Sequence, residues 1–309
     1  MKRLVWFALL ASSALAQQGG LDSRDVLEVV QVRSNIYMLA SASGNVTVQL
    51  GDNPGRDGVL LVDTGSASMT PRLMAELRKL SIKPIRYVLN TSADPHHTGG
   101  NQAFAAPNED GQVAVFAQND ALLRMSSGGG EVPAEGWPSI TFDDTKDFPF
   151  NGESIKMFAE KHAHTDGDSI VYFPRSNVVS TGDVFLTTGY PVIDIQKGGS
   201  IQGELKALNH ILDITVPEVM QEGGTMVIPG KGRLCDEADV TEYRDMLTIF
   251  RDRVADLLKK GQTLEQVKQA RLTRDFDGRY STPAWSGDML VEAIYKSLVK
   301  DPASSETRK

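Results

Sequence analysis

The chain has 309 residues, with 32 Lys+Arg against 40 Asp+Glu, a formal net charge of −8 and a pI near 5.2. This balance supplies no phosphate-neutralising surface and excludes nucleic acid as a partner, while 40% hydrophobic and 23% charged residues exclude a disordered or membrane-embedded chain. A lone cysteine, Cys235, excludes an internal disulfide and a Cys-rich metal cluster, and four of the five histidines fall in two short stretches, His96-His97 and His162-Ala163-His164.

The first segment reads as an export signal. Lys2 and Arg3 precede an apolar run, and Ala14-Leu15-Ala16 before Gln17 makes an A-x-A cleavage pattern, so residues 1–16 are expected to be a signal peptide. The apolar run is shorter than the ~20 residues that a spanning helix needs, although an uncleaved anchor is the alternative. Cleavage removes two positive charges and leaves 30 − 40 = −10. The short Lys/Arg-led form is bacterial in type, so the mature protein is expected in the periplasm or secreted, with no membrane association after cleavage.

Beyond the signal, β-rich runs at residues 26–32, 36–39, 46–50 and 59–62 are separated by Gly, Asn, Asp and Ser turns and predict a meander. A helix is predicted over 71–80, with Thr70 as N-cap, Pro71 at the first helical position and Leu73, Met74, Leu77 and Leu80 on one face. A buried strand at 85–89 leads directly into the His96-His97 segment, and another follows at 113–117. Residues 126–137, with three consecutive glycines, resist regular structure and read as a mobile flap. Trp137 either closes that flap over a ligand or pins it to the body. Further strands are predicted at 155–158, 170–173, 178–180 and 226–228, with helices at about 201–212, 236–260, after the Thr263 capping box, and at 285–298. There is no internal repeat or long linker. One domain over 17–300 is expected, mainly helical from 236 to 300, followed by a disordered tail at 301–309.

The chemistry concentrates in four polar strand-end turns. Asn90-Thr91-Ser92-Ala93-Asp94-Pro95-His96-His97-Thr98-Gly99-Gly100-Asn101 places three metal-ligand types within four residues and ends in two glycines. His164-Thr165-Asp166-Gly167-Asp168, Ser180-Thr181-Gly182-Asp183 and Ile228-Pro229-Gly230-Lys231 follow. Turns of this kind can converge on one rim of a sheet sandwich.

In order, spacing and flanking residues these segments resemble the metallo-β-lactamase superfamily over nearly all of the mature chain. That family's first motif reads T-H-x-H-x-D-H-x-G-G-N and its later ones H-T-x-G-D, G-D-x-x-F and P-G-H-G. Val62-Asp63-Thr64-Gly65 is similar to the acidic turn that supports its metal loop. The resemblance implies an α/β fold, a four-layer αβ/βα sandwich with C-terminal helices here, and a metal site on one edge. It also implies a small-molecule substrate or ligand and hydrolysis by metal-bound water of an ester, amide or thioester bond. His97, His164 and Asp183 match ligand positions as written. Asp94 and His96 replace other ligands with residues that can still bind metal, Ser92 replaces a histidine with a poor ligand, and Lys231 replaces the last histidine with a cation.

Charge decides the expected occupancy. Asp94 and Asp183 give −2, and a protonated Lys231 beside them makes two dications cost several kcal/mol. One divalent metal (Zn, Mn or Fe) or none is expected. A single ion is held by Asp94, His164 and Asp183, or by His96, His97 and Asp183 if the loop bends enough to bring adjacent side chains together. The expected catalytic residues are Asp94, as ligand or general base, Asp183 and Lys231. Lys231 either pairs with Asp94 or Asp183 in place of metal, which makes the protein a non-catalytic ligand- or partner-binding relative, or it binds an anionic substrate group. His162 either replaces a lost ligand or is structural, Asp166 and Asp168 support the loop, and His210 and Cys235 are structural. Trp137, Tyr190 and Asp194 are the candidates for lining a substrate pocket.

Overall fold

The computed structural model describes residues 26–53, 55–106, 111–127 and 132–300. The expected signal at 1–16, the tail at 301–309 and the three glycines of the expected flap lie outside them. In chain order the strands are β1 (Glu28–Arg33), β2 (Ile36–Ala40), β3 (Asn45–Leu50), β4 (Val59–Val62), β5 (Ile85–Leu89), β6 (Ala114–Gln118), β7 (Ile140–Phe142), β8 (Thr145–Phe150), β9 (Glu153–Ala159), β10 (Ser169–Phe173), β11 (Val178–Ser180) and β12 (Met226–Ile228). The helices are α1 (Thr70–Leu80), α2 (Pro95–Thr98), α3 (Asn101–Ala105), α4 (Asn119–Ser126), α5 (Ile201–Ile214), α6 (Glu237–Lys259), α7 (Leu264–Gln269), α8 (Arg274–Tyr280) and α9 (Gly287–Lys300).

One sheet runs β1 to β7 in sequence order, antiparallel as far as β4 and parallel from β4 to β7. The other runs β12-β11-β10-β9-β8, and its β11–β12 pair is parallel. Strand periodicity sorts the side chains into layers. Leu60 and Val62 point between the sheets, where they meet Leu89, Phe116, Met157, Val171, Phe173 and Ile228. Their neighbours Val59 and Leu61 point outward and pack under Leu73 and Leu77 of α1. On the opposite outer face Ile170 and Val227 lie under α5, α6 and α9, through Leu208, Tyr243, Leu247, Leu290 and Ile294. Each such fully buried side chain contributes about 1.5–3 kcal/mol. The architecture is the expected four-layer αβ/βα sandwich.

The capping boxes at Asp236/Asp239 and Thr263/Gln266 open α6 and α7. Thr70 is a correction: the chain enters α1 through a 3₁₀ turn at Ala67–Met69, so Met69 holds the cap position and Thr70 is already helical. The strands β7 and β8 have no counterpart among the expected elements. β8 is an edge strand of sequence TKDFPF whose alternate residues are exposed, and an edge position accommodates Pro149 because no partner needs its missing N–H.

Candidate metal centre

Five loops meet at one rim of the sandwich because the strands ahead of them end there together. β4 and β5 are parallel neighbours, so Asp63 after β4 and the Asn90–His97 segment after β5 emerge side by side. β11 and β12 are likewise parallel, and they deliver Asp183 and Lys231. His164 comes from the turn between β9 and β10. Gly182 permits this approach: it has φ +54°, and a Cβ there would lie 2.5 Å from Thr91 Oγ1. Gly230 is equally constrained, since its Cβ would fall 2.7 Å from Asp183 Oδ1.

The structure brings Asp94, His96, His97, His164 and Asp183 together. His96 Nε2 lies 2.7 Å from Asp183 Oδ2 and His97 Nε2 lies 3.1 Å from Asp183 Oδ1. Adjacent histidines achieve this because α2 is one helical turn with Pro95 in its first turn, not an extended strand. The two rings lie 4.3 Å apart. On the other side of Asp183, His164 Nε2 lies 3.0 Å from Asp94 Oδ2 and 3.9 Å from Asp183 Oδ2. Two sets of ligand atoms therefore share Asp183: His96, His97 and Asp183, and Asp94, His164 and Asp183, each within 4.8 Å of one another.

Support behind each imidazole differs. His97 Nδ1 donates to the buried carboxylate of Asp63 at 2.7 Å, and Asp63 also accepts from the Thr91 N–H and hydroxyl. His164 Nδ1 donates to the Val192 carbonyl. Asp94 Oδ1 accepts from Lys197 Nζ at 2.8 Å, and Lys197 also lies 3.6 Å from Asp194. Burial works against the charge on His97, His164, Asp94 and Asp183, and the neighbours override it. His164 is pushed up to about 10 by Asp94, then Asp168 and Asp183. His97 is held well above the ordinary histidine value by Asp63 and Asp183. Asp183, facing His97 and His96, and Asp94, facing His164 and Lys197, sit far below the usual carboxylate range.

These residues fit a divalent cation. The buried His97 Nε2 has no hydrogen-bond partner although Asp183 Oδ1 is 3.1 Å away, because the contact is poorly aligned for a hydrogen bond. Two ligands of one tetrahedral ion at ~2.0–2.1 Å stand roughly 3.3 Å apart, so the Asp183 contacts with His96 and His97 are close to what a shared cation needs. A carboxylate behind the ligating imidazole is the usual support for such a ligand, and the Asp63–His97 pair supplies it.

Other sequence candidates lie elsewhere. Tyr190 is a correction: it is 2% exposed, packed on Phe250 and Tyr280 in the helical layer with its hydroxyl on Asp277, and does not line a pocket. Trp137 donates its indole N–H to the Val132 carbonyl of its own loop. Asp194 accepts from the N–H groups of Gln196 and Lys197 and so shapes the loop that presents Lys197. His162, at φ +68°, bonds to the Gly198 carbonyl, and His210 pairs with Glu160. Asp168 accepts from the Thr165 N–H and hydroxyl, Asp166 pairs with Arg124, and Cys235 is buried. Lys231 forms no ion pair among the described residues. The cation that pairs with Asp94 is Lys197, which sequence reasoning missed. Its only signal was a lysine before Gly198-Gly199 and the Ser200 cap of α5, in a loop following the Asp183 turn.

A two-sheet sandwich with carboxylates and imidazoles gathered on one rim defines the class of αβ/βα metallohydrolase-like proteins. Residues 43–272, well over half of the 309, match the family model of the metallo-beta-lactamase superfamily, and the chain belongs to that superfamily. Members usually bind divalent metals. A linear primary-alkylsulfatase of Pseudomonas sp. (strain ATCC 19151) is 23% identical over 259 residues, covering 68% of this chain and 47% of that protein. The solved structure of the stereoselective inverting sec-alkylsulfatase Pisa1 from Pseudomonas sp. superposes with a TM-score of 0.68 at 15% identity, covering 93% of this chain and 53% of that one. A metallo-beta-lactamase from Pontibacter korlensis gives 0.58 at 16% identity, with 72% and 99% covered. The chain thus spans about half the length of the alkylsulfatases it matches, and the structural likeness shows the fold. No helix among the described residues is long and apolar enough to cross a membrane.

Proposed function

We propose that the chain is an exported, periplasmic or secreted, metal-dependent hydrolase of small anionic esters, a sulfate ester with an apolar alkyl group being the substrate class that the alkylsulfatase relatives suggest. The observation that carries the reading is the orphaned Nε2 of His97, buried, supported from behind by Asp63 and aimed at Asp183 and the neighbouring His96. His96, His97 and Asp183 would hold one divalent ion; when bound it supplies a Lewis acid and lowers the pKa of a water to near neutrality.

The chain's own residues do the rest. Asp94, held as a carboxylate beside Lys197 and His164, can accept a hydrogen bond from the attacking water and so orient it; a carboxyl held this far below its usual range is a weak base. Lys197 orients Asp94 through Oδ1 and leaves Oδ2 toward the cluster. Lys197 places an ammonium group beside the cluster, suited to an anionic ester. His164, fixed by Val192, positions Asp94 from the inner side. The ion-pair network also favours a second reading: Lys197–Asp94–His164 and His96–Asp183–His97 already balance charge without metal, as a non-catalytic binding protein would require.

Metal analysis of protein purified without chelator, with melting before and after EDTA, separates the two. The hydrolase reading expects about one equivalent of metal, a lower melting temperature after chelation, and loss of both metal and ester hydrolysis in Asp183→Ala. Less than a tenth of an equivalent, with melting indifferent to EDTA and to added Zn or Mn, overturns it.

A further inference from the structure

Lys197, which pairs with Asp94 of the second set of ligand atoms, is held at its main chain by two residues on the far side of its loop. Arg124, in the last turn of α4, grips the Asp166 carboxylate through Nε to Oδ1 at 2.6 Å and through Nη2 to Oδ2 at 2.5 Å. The same Nη2 donates to the Lys197 carbonyl, which also accepts from the Asp166 N–H at 3.0 Å. A bidentate arginine–carboxylate pair fixes orientation as well as distance, so the carbonyl it holds is fixed too. From the other side Asp194 accepts from the Lys197 N–H at 3.0 Å, and its own N–H donates to the His164 carbonyl.

Packing reinforces this seat. A Cβ at Gly199 would lie 2.2 Å from the His164 carbonyl oxygen, and one at Gly167 would lie 2.7 Å from the Ala121 nitrogen in α4. α4, the 164–168 turn and the 194–199 loop therefore meet backbone to backbone, with Arg124 and Asp166 at the junction. The Lys197 side chain extends beyond it and reaches Asp94 Oδ1 at 2.8 Å while 41% exposed. A four-carbon stem that exposed has many rotamers, so where its Cα stands decides how often the ammonium meets Asp94. Arg124 itself forms no hydrogen bond or ion pair with Asp94, His96, His97, His164 or Asp183 among the described residues. Any effect it has on the metal centre passes through the loop.

We propose that Arg124 and Asp166 form a clamp that seats Lys197 on Asp94 and so keeps the Asp94–His164–Asp183 set closed to a metal ion, which makes Arg124 a positioning residue for metal stoichiometry. The inference rests on the metal centre of the hydrolase reading. Its test uses the full chain purified without chelator. Zinc binding is read by competition with a chromophoric chelator, and acetylation of Lys197 in EDTA by peptide mass spectrometry. In Arg124→Met the second equivalent should bind at least about tenfold tighter than in wild type, with the first within about twofold. Arg124→Lys, which keeps the charge and loses the fork, should lie between. Lys197 acetylation should rise at least about threefold in Arg124→Met, while the exposed Lys206 on α5 keeps its wild-type rate. Because Arg124 acts through Lys197, the double variant Arg124→Met/Lys197→Met should bind the second equivalent as Lys197→Met does, within about twofold.

A second equivalent within about twofold of wild type in Arg124→Met, unchanged Lys197 acetylation, or additive effects of the two substitutions each overturns the inference. Failure of the hydrolase reading looks different: wild type turns over no ester at any metal loading, while Lys197 acetylation and zinc uptake still follow Arg124.

Discussion

His97 and His164 are both buried imidazoles whose Nε2 atoms face Asp183, yet they are held in opposite ways. His97 leans on a carboxylate, Asp63, and has a second histidine beside it. His164 leans on a neutral carbonyl, and its other partner, Asp94, is already shared with the ammonium of Lys197. The first half of the centre has spare negative charge behind it and an unsatisfied nitrogen in front. The second half is closed by a cation that belongs to the protein. A dication placed beside Lys197 meets repulsion on the order of several kcal/mol even at an effective dielectric of ~20. Positive charge is thus what each half requires, and only the first leaves room for it to come from outside. The sequence placed the competing cation at Lys231; the structure places it at Lys197.

The comparison breaks most visibly at the residue common to both halves. Asp183→Ala should lower metal affinity by more than ~100-fold and abolish ester hydrolysis, since losing a direct ligand exceeds the 10–100-fold cost of losing a group that supports one. Asp63→Asn should itself fall in that roughly 10–100-fold range, measured by competition with a chromophoric chelator. An unchanged affinity would mean that the carboxylate behind His97 does not tune the first half. Lys197→Met should release Asp94 and raise the bound metal from about one toward two equivalents, and a stoichiometry that stays at one would show that Lys197 does not close the second half. Lys231→Ala should change stability by less than about 0.5 kcal/mol, because no ion pair is lost. Cys235, nearby on the same turn, reports on whether that turn stays packed. Burial pushes its thiol up to about 12, with Asp239 adding to the shift. Because the folded thiol keeps its proton at pH 8, alkylation there should be far slower than in denaturant for wild type and Lys231→Ala alike.

Much of this was legible in the sequence because it is periodic or local. Leu60 and Val62 alternate with Val59 and Leu61, the Asp236 and Thr263 caps announce their helices, and the strand-end turns with Asp94, His96, His97, His164 and Asp183 stand out by residue type. What escaped depends on three-dimensional reach. Lys197 meets Asp94 from 103 positions away through a long side chain, which leaves no local pattern. Tyr190 sits in a Pro- and Gly-punctuated loop that looks like a site mouth, but its ring turns inward to Phe250. The helix α8, sequence RDFDGRY, is too polar and too short to show a periodicity.

The central claim, that the His96–His97–Asp183 half holds the ion, is tested most directly by measuring bound metal in His96→Asn and Asp94→Asn side by side after purification without chelator. The account predicts that Asp94→Asn keeps about one equivalent while His96→Asn falls below about a tenth. Metal retained in His96→Asn and lost in Asp94→Asn would contradict it.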